Sequence, residues 1–227
     1  MPPVPRPYPR FIADSPQESQ PYGRWEGRLR DEFAKACSAH ADEAGAPLDP
    51  ETLKWFPDRA WGGRVYVPVT GRASEAASAE GEDEGGSGEA GEATAVEYFG
   101  WVSFERSDDE EPTGLRASAD FTDVTAEDNP DWKIDLSDHV IGTWRAEGER
   151  GGDITLVWGL PLVRGAIAAT AELDGEVVDQ AAVTDGRFTL VAVDAVRGFG
   201  DELYLEVKLW NRTLRPIAAE SLYAEGE

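Results

Sequence analysis

A chain of 227 residues with 41% hydrophobic side chains can bury a self-sufficient core, which excludes disorder of the whole. The formal net charge of -24 argues against nucleic acid, because phosphate binding depends on Lys and Arg neutralising the backbone, and it disfavours anionic membrane surfaces by the same sign. A cationic protein, a metal ion or a neutral ligand stays compatible with that field, and so does a charge that serves only solubility.

Met1–Pro9 carries five prolines, so residues 1–22 are expected to form an extended strap, anchored by Tyr8, Phe11 and Ile12. Trp25, Leu29, Phe33, Cys37 and Ala41 recur every fourth residue and predict an amphipathic helix over 23–44, stopped by Gly45 and Pro47. Asp49, Pro50 and Glu51 form an N-terminal capping pattern and predict a second helix over 50–56, ended by Pro57. Arg64–Thr70 alternates Val and Tyr and reads as a strand that Pro68 pushes to a sheet edge.

Residues 73–95 are a Gly, Ala, Ser and Glu segment too polar to offset its ordering entropy, and they predict a disordered acidic loop. Ser74–Thr94 alone holds seven acidic residues and no basic one, yet the rest of the chain is acidic too. Val96–Arg106 is a strong strand, and the simplest reading pairs it with Arg64–Thr70 as a hairpin across that loop; a domain linker is the rival reading. Ser107–Glu111 reads as a turn and Leu115–Phe121 as a strand. Strands follow at Trp132–Leu136, Val140–Arg145, Ile154–Trp158 and Leu162–Leu173, with turns at Glu147–Gly152 and Gly159-Leu160-Pro161.

The C-terminal third reads as an antiparallel meander. Asp174-Gly175 and Asp185-Gly186 are type I′ signals, because Gly accepts positive φ freely and Asp tolerates it. Asn211-Arg212 divides Leu203–Trp210 from Thr213–Tyr223, and a two-residue loop there opposes Lys208 to Arg215. The sum is a mainly β (α+β) chain, an antiparallel β-sandwich or partly open barrel of about ten strands with the N-terminal helix packed on it, in one domain over 23–227.

Candidate chemistry is sparse. The single Cys37 permits no intrachain disulfide and points to a reducing, cytoplasmic setting. No apolar stretch after Met1–Arg10 resembles a secretory signal, and none approaches the roughly 20 residues of a spanning helix. Cys37 and His40 are spaced to touch on a helix, but Cys37 lies in the apolar stripe, where a thiol acts as a small hydrophobe. Asp138-His139 resembles half of a catalytic triad, except that adjacent strand residues point to opposite faces. Asp123, Asp128 and Asp131 supply oxygen ligands suited to calcium, in a spacing unlike an EF-hand loop.

Tryptophan is conspicuous, at eight residues. Most fill a core in this pattern, but Tyr204 and Trp210 share the strand face of Glu206 and Lys208, opposite Leu203, Leu205, Val207 and Leu209. Tyr204, Glu206 and Trp210 are therefore the expected ligand- or partner-binding residues. The leading expectation is a non-catalytic cytoplasmic interaction protein that binds another protein through an aromatic-bearing sheet face or edge. A carbohydrate- or small-ligand-binding module and a carboxylate-based, calcium-assisted hydrolase are the alternatives. The hydrolase needs two carboxylates about 5 to 9.5 Å apart in a cleft, one with a raised pKa.

Overall fold

The computed structural model describes residues 25–74, 96–105, 112–145, 151–173, 175–195 and 205–222. In chain order these form helices α1 (Glu26–Ser38) and α2 (Ala41–Ala44) and a 3-10 turn (Pro50–Thr52). Strands follow: β1 (Lys54–Trp55), β2 (Arg59–Trp61), β3 (Arg64–Arg72), β4 (Glu97–Glu105), β5 (Thr113–Thr122), β6 (Ile134–Arg145), β7 (Gly151–Pro161), β8 (Ala168–Leu173), β9 (Glu176–Ala182), β10 (Phe188–Ala195), β11 (Leu205–Trp210) and β12 (Pro216–Ser221). The strap expected over 1–22, nearly all of the acidic segment 73–95 and the Ser107–Glu111 turn lie outside the described residues. No helix among the described residues is long and apolar enough to cross a membrane.

The strands make three antiparallel sheets, none closed on itself: a first sheet ordered β1-β3-β4-β5 with β2 also on β3, a middle sheet β10-β7-β6, and a third sheet β12-β11-β8-β9. Alternation along the strands stacks them. Leu29, Phe33 and Cys37 of α1 pack on Val65, Val67, Val69, Tyr98 and Val102 of the first sheet. The opposite face of that sheet, with Tyr66, Phe99 and Trp101, meets Leu156, Trp158 and Val191 of the middle sheet. The other face of the middle sheet, with Val157, Phe188 and Leu190, meets Ala169, Ala171, Leu205, Val207 and Leu209 of the third. Each fully buried Leu or Phe contributes about 1.5–3 kcal/mol, so the stack is held chiefly by these interleaved faces.

Several elements depart from the sequence reading. The helix expected over 23–44 breaks after Ser38, where Ala39 and His40 bond carbonyls three residues back and the Ser38 hydroxyl takes the Lys35 carbonyl at 2.7 Å. The helix expected over 50–56 is only the Pro50–Thr52 turn, capped as predicted by Asp49 accepting from the Glu51 N–H. Pairing of Lys54 and Trp55 with Thr70 and Val69 then takes over, so tertiary pairing overrides the cap.

Pro68 is interior to its sheet rather than at an edge, because β3 pairs with β4 on one side and with β1 and β2 on the other. Its carbonyl accepts from the Phe56 N–H, so its ring nitrogen faces the same side, where the β1 ladder ends and only the reciprocal bond to Phe56 is missing. The turn expected at 159–161 belongs instead to β7. Gly159 is needed there for close approach, since a Cβ would stand 2.4 Å from the Asp135 carbonyl oxygen.

The meander is also corrected. Asp185 and Gly186 do adopt positive φ, but the turn they make closes only a Thr184–Arg187 bridge. The hairpin of β8 with β9 forms as expected, but beyond the second turn β10 joins β7 in the middle sheet and β8 takes β11 on its other side. In the last hairpin Trp210 pairs with Pro216 and Lys208 opposes Ala219, not Arg215. The Asn211 side chain fixes this longer loop by accepting from Thr213 N–H, Thr213 Oγ1 and Arg215 N–H, with Leu214 at positive φ.

Candidate functional site

A cavity of about 210 Å³ opens where the first sheet, the edge of the middle sheet and the loop after β5 meet. Glu97 and Phe99 come from β4, Thr122 from the end of β5, Val124, Thr125, Ala126 and Trp132 from the loop, and Asp135–Asp138 from β6. Alternation explains the two acids. Glu97, Phe99 and Trp101 lie on the β4 face turned to the middle sheet, because Tyr98 and Val102 fill the core beneath α1. Asp135 is flanked by Ile134, which is buried toward the third sheet, so its side chain turns the other way.

The loop is braced by its own polar residues. Val124 N–H bonds Thr122 Oγ1 at 3.0 Å, Thr125 Oγ1 donates to Asp128 at 2.9 Å, and Asn129 donates to the Thr125 carbonyl at 2.8 Å. Glu127 pairs with Arg72, tying the loop to β3. Trp132 and Phe99, both half-buried, stand among the cavity walls with the acids.

Burial pushes the Glu97 carboxyl above the usual carboxylate range, and Asp135 adds to the rise; Lys54, a hydrogen bond with Thr70, and Arg72 pull it partly back. Burial likewise raises Asp135, with Lys54 opposing. Lys54 lies within electrostatic range of both acids because it pairs with Thr70 across the β1–β3 ladder. Neither Glu97 nor Asp135 forms an ion pair among the described residues. The result is a cleft of two under-compensated carboxylates between aromatic walls.

The residues expected from sequence lie elsewhere. Tyr204 is outside the described residues. Glu206 and Trp210 sit with Lys208 on the outer face of the third sheet, in a continuous polar chain. The Trp210 indole N–H donates to Thr170 Oγ1 at 2.9 Å, Thr170 donates to Glu172 at 3.1 Å, and Lys208 Nζ bridges Glu172 at 2.5 Å and Glu206 at 2.7 Å. Thr170 is fully buried and Glu172 nearly so, and Trp210 is half-buried over them. Burial works against the Lys208 charge, but the hydrogen bonds it donates to Glu172 and Glu206, with their charges, outweigh it and raise its pKa. This network ties β8 to β11 and uses the donors and acceptors a ligand needs.

Asp123, Asp128 and Asp131 are not gathered around a common point: among the described residues no three His, Cys, Asp or Glu side chains are grouped to hold a metal ion. Cys37 is buried, its thiol pushed up to about 12 by desolvation, and the His40 ring packs against Phe121 with centroids 6.1 Å apart. His139 Nε2 lies 3.0 Å from Ser118 Oγ, and its ring meets Trp101 edge-on at 6.0 Å, which joins the first and middle sheets.

Sequence reading missed Glu97, Phe99, Trp132 and Asp135 as a site. The available signal was an acid in an otherwise aromatic stripe: Glu97 shares the period-two face of Phe99 and Trp101. What sequence did not carry was the stacking of β4 against a strand of a different sheet. No protein-family model, curated protein or solved structure matches this chain.

Proposed function

We propose that this is a non-catalytic binding protein whose cleft receives a single organic cation, an ammonium or guanidinium group presented by a partner protein. The observation that carries this reading is the placement of Glu97 and Asp135 in one cavity with Phe99 and Trp132. Burial raises the cost of ionising both carboxyls and Asp135 adds to it at Glu97, and a cation bound between them relieves burial and repulsion together. Aromatic walls add cation–π attraction of about 0.5–2 kcal/mol.

Size narrows the occupant. A cavity of 210 Å³ exceeds the roughly 150 Å³ that admits benzene but is below the about 300 Å³ at which pockets for drug-sized ligands begin. One long side chain fits; a cofactor or sugar chain does not. The chain's overall charge of -24 favours and accelerates encounter with a basic partner. In this reading the stacked sheets act as one sandwich-type domain, and the lone buried cysteine suits a reducing cytoplasm.

Titration of the isotope-labelled protein with N-acetyl-arginine amide and N-acetyl-lysine amide tests the proposal. Shifts centred on Glu97, Phe99, Trp132 and Asp135, lost in Glu97→Gln/Asp135→Asn, support it; absence of saturable shifts there overturns it. A second reading, acid–base hydrolysis by Glu97 and Asp135, draws on the same pair of raised carboxyls. Turnover of an aryl glycoside or ester, abolished by either single substitution, would favour that reading over simple binding.

A further inference from the structure

Few acceptors in the cleft are left over for a guest. Val124, Thr125 and Ala126 line it from the loop, but their carbonyls already accept: Val124 from Thr122 Oγ1, Thr125 from Asp128 N–H and Asn129 Nδ2, and Ala126 from Asn129 N–H. The Thr122 hydroxyl takes the Val124 N–H, and the Thr125 hydroxyl is spent on Asp128. Asp138 also lines the cleft and has interactions of its own. The side chains that remain are the Glu97 carboxylate, which shares one bond with Thr70, the Asp135 carboxylate and the Ser137 hydroxyl.

The other walls are apolar. Phe99 and Trp132 contribute rings, and Val124 is 53% exposed, more than any other large hydrophobic side chain among the described residues. A guest that matches this lining carries a positive charge, few N–H donors and some alkyl surface.

We propose that the cleft selects a partly methylated ammonium, the side chain of mono- or dimethyllysine on the partner protein, over unmodified lysine, arginine and trimethyllysine. This rests on the cation-binding reading above and specifies which cation is taken. Donor count carries the choice. A guanidinium brings five N–H donors in one plane and a primary ammonium three, and any that face Phe99, Trp132 or Val124 lose water without gaining a partner. A monomethylammonium brings two N–H groups, one for each acid, and a dimethylammonium brings one. Their methyl groups fall on the apolar walls. A quaternary ammonium keeps its attraction to the rings but has no N–H for Glu97 or Asp135. Each methyl placed on an apolar wall should tighten binding about fourfold, the transfer value of one CH₂ group. Each N–H withdrawn from an acid acts the other way, so affinity peaks part-way along the series.

The test is calorimetric titration of the full chain with the N-acetyl amides of arginine, lysine and mono-, di- and trimethyllysine. The tightest ligand is expected to be the mono- or dimethyl form, about fourfold or more above lysine. Trp132→Leu and Phe99→Leu should each shrink that ratio, and a ratio unchanged in both variants overturns the part assigned to the rings. A flat series, or one led by lysine, arginine or trimethyllysine, overturns the selection while leaving cation binding intact. If no amide binds saturably, both readings fall. N-methylbutylammonium, the same cation without a peptide backbone, should bind no more tightly than the monomethyllysine amide; tighter binding overturns the partner protein as its source.

Discussion

Two acid-bearing regions of this molecule lie on sheet faces, and they differ in how their charge is answered. On the outer face of the third sheet, Glu172 is almost fully buried, yet Lys208 and the Thr170 hydroxyl satisfy both of its oxygens. In the cleft, Glu97 and Asp135 are less buried but have no ion pair among the described residues, and both are held up above the ordinary carboxylate range. The comparison teaches that burial of an acid does not mark a site by itself. The fully partnered carboxylate is part of the scaffold, and the under-partnered pair beside a cavity is the one on which the proposed cation binding rests.

The sharpest way to break this distinction is to strip the compensated acid of its partner. Lys208→Ala should destabilise the protein by about 3 kcal/mol, because it leaves Glu172 charged and buried, whereas Lys208→Met combined with Glu172→Met should recover most of that loss. Urea denaturation of the two variants reads the difference directly; equal losses would deny the network its structural role. Next in size, Gly159→Ala should cost about 1–3 kcal/mol, since the added methyl meets the Asp135 carbonyl at 2.4 Å. The same substitution should displace the Asp135 resonances, linking the packing of the middle sheet to the shape of the cleft.

Trp210→Phe removes the bond to Thr170 while keeping a ring, and a loss of about 1 kcal/mol is expected. The smallest effect carries the opposite sign. A carboxyl raised in the folded state contributes stability that is complete below its ordinary value of about 4 and lost as pH rises through the raised value. Asp135→Asn lacks that loss, so it should be modestly more stable than the parent at neutral pH, with the gain vanishing in acid. A variant that is less stable at neutral pH would mean Asp135 is compensated after all, and the contrast between the two regions would disappear.

Much of the strand pattern was readable because it depends on local chemistry. The alternation of Leu205, Val207 and Leu209, the Asp185-Gly186 turn and the pairing of β3 with β4 all follow from period-two hydrophobicity and glycine at positive φ. Sheet membership was not readable. Nothing in Asp185-Gly186 says that the strand after it crosses to another sheet, because a type I′ turn constrains only its own four residues. The position of Pro68 was misread for a related reason: its missing donor costs only the reciprocal bond to Phe56 where the β1 ladder ends, which is itself a tertiary fact. The cleft was illegible on the same grounds, since Glu97 and Asp135 are 38 positions apart in the chain and meet only through the stacking of separate sheets.

The crossing of β10 carries a consequence for biogenesis. β8 pairs at once with β9, but its second partner, β11, is made only after β10, and β12 later still. Until then Phe188, Leu190 and Ala192 have only part of their cover, while α1 and the first sheet already possess all their strands. Synthesis at about 5–20 residues per second stretches that interval to seconds, a window in which chaperones act and aggregation competes. Slowing translation just before codon 205 should therefore lower the yield of folded protein more than slowing it before codon 134.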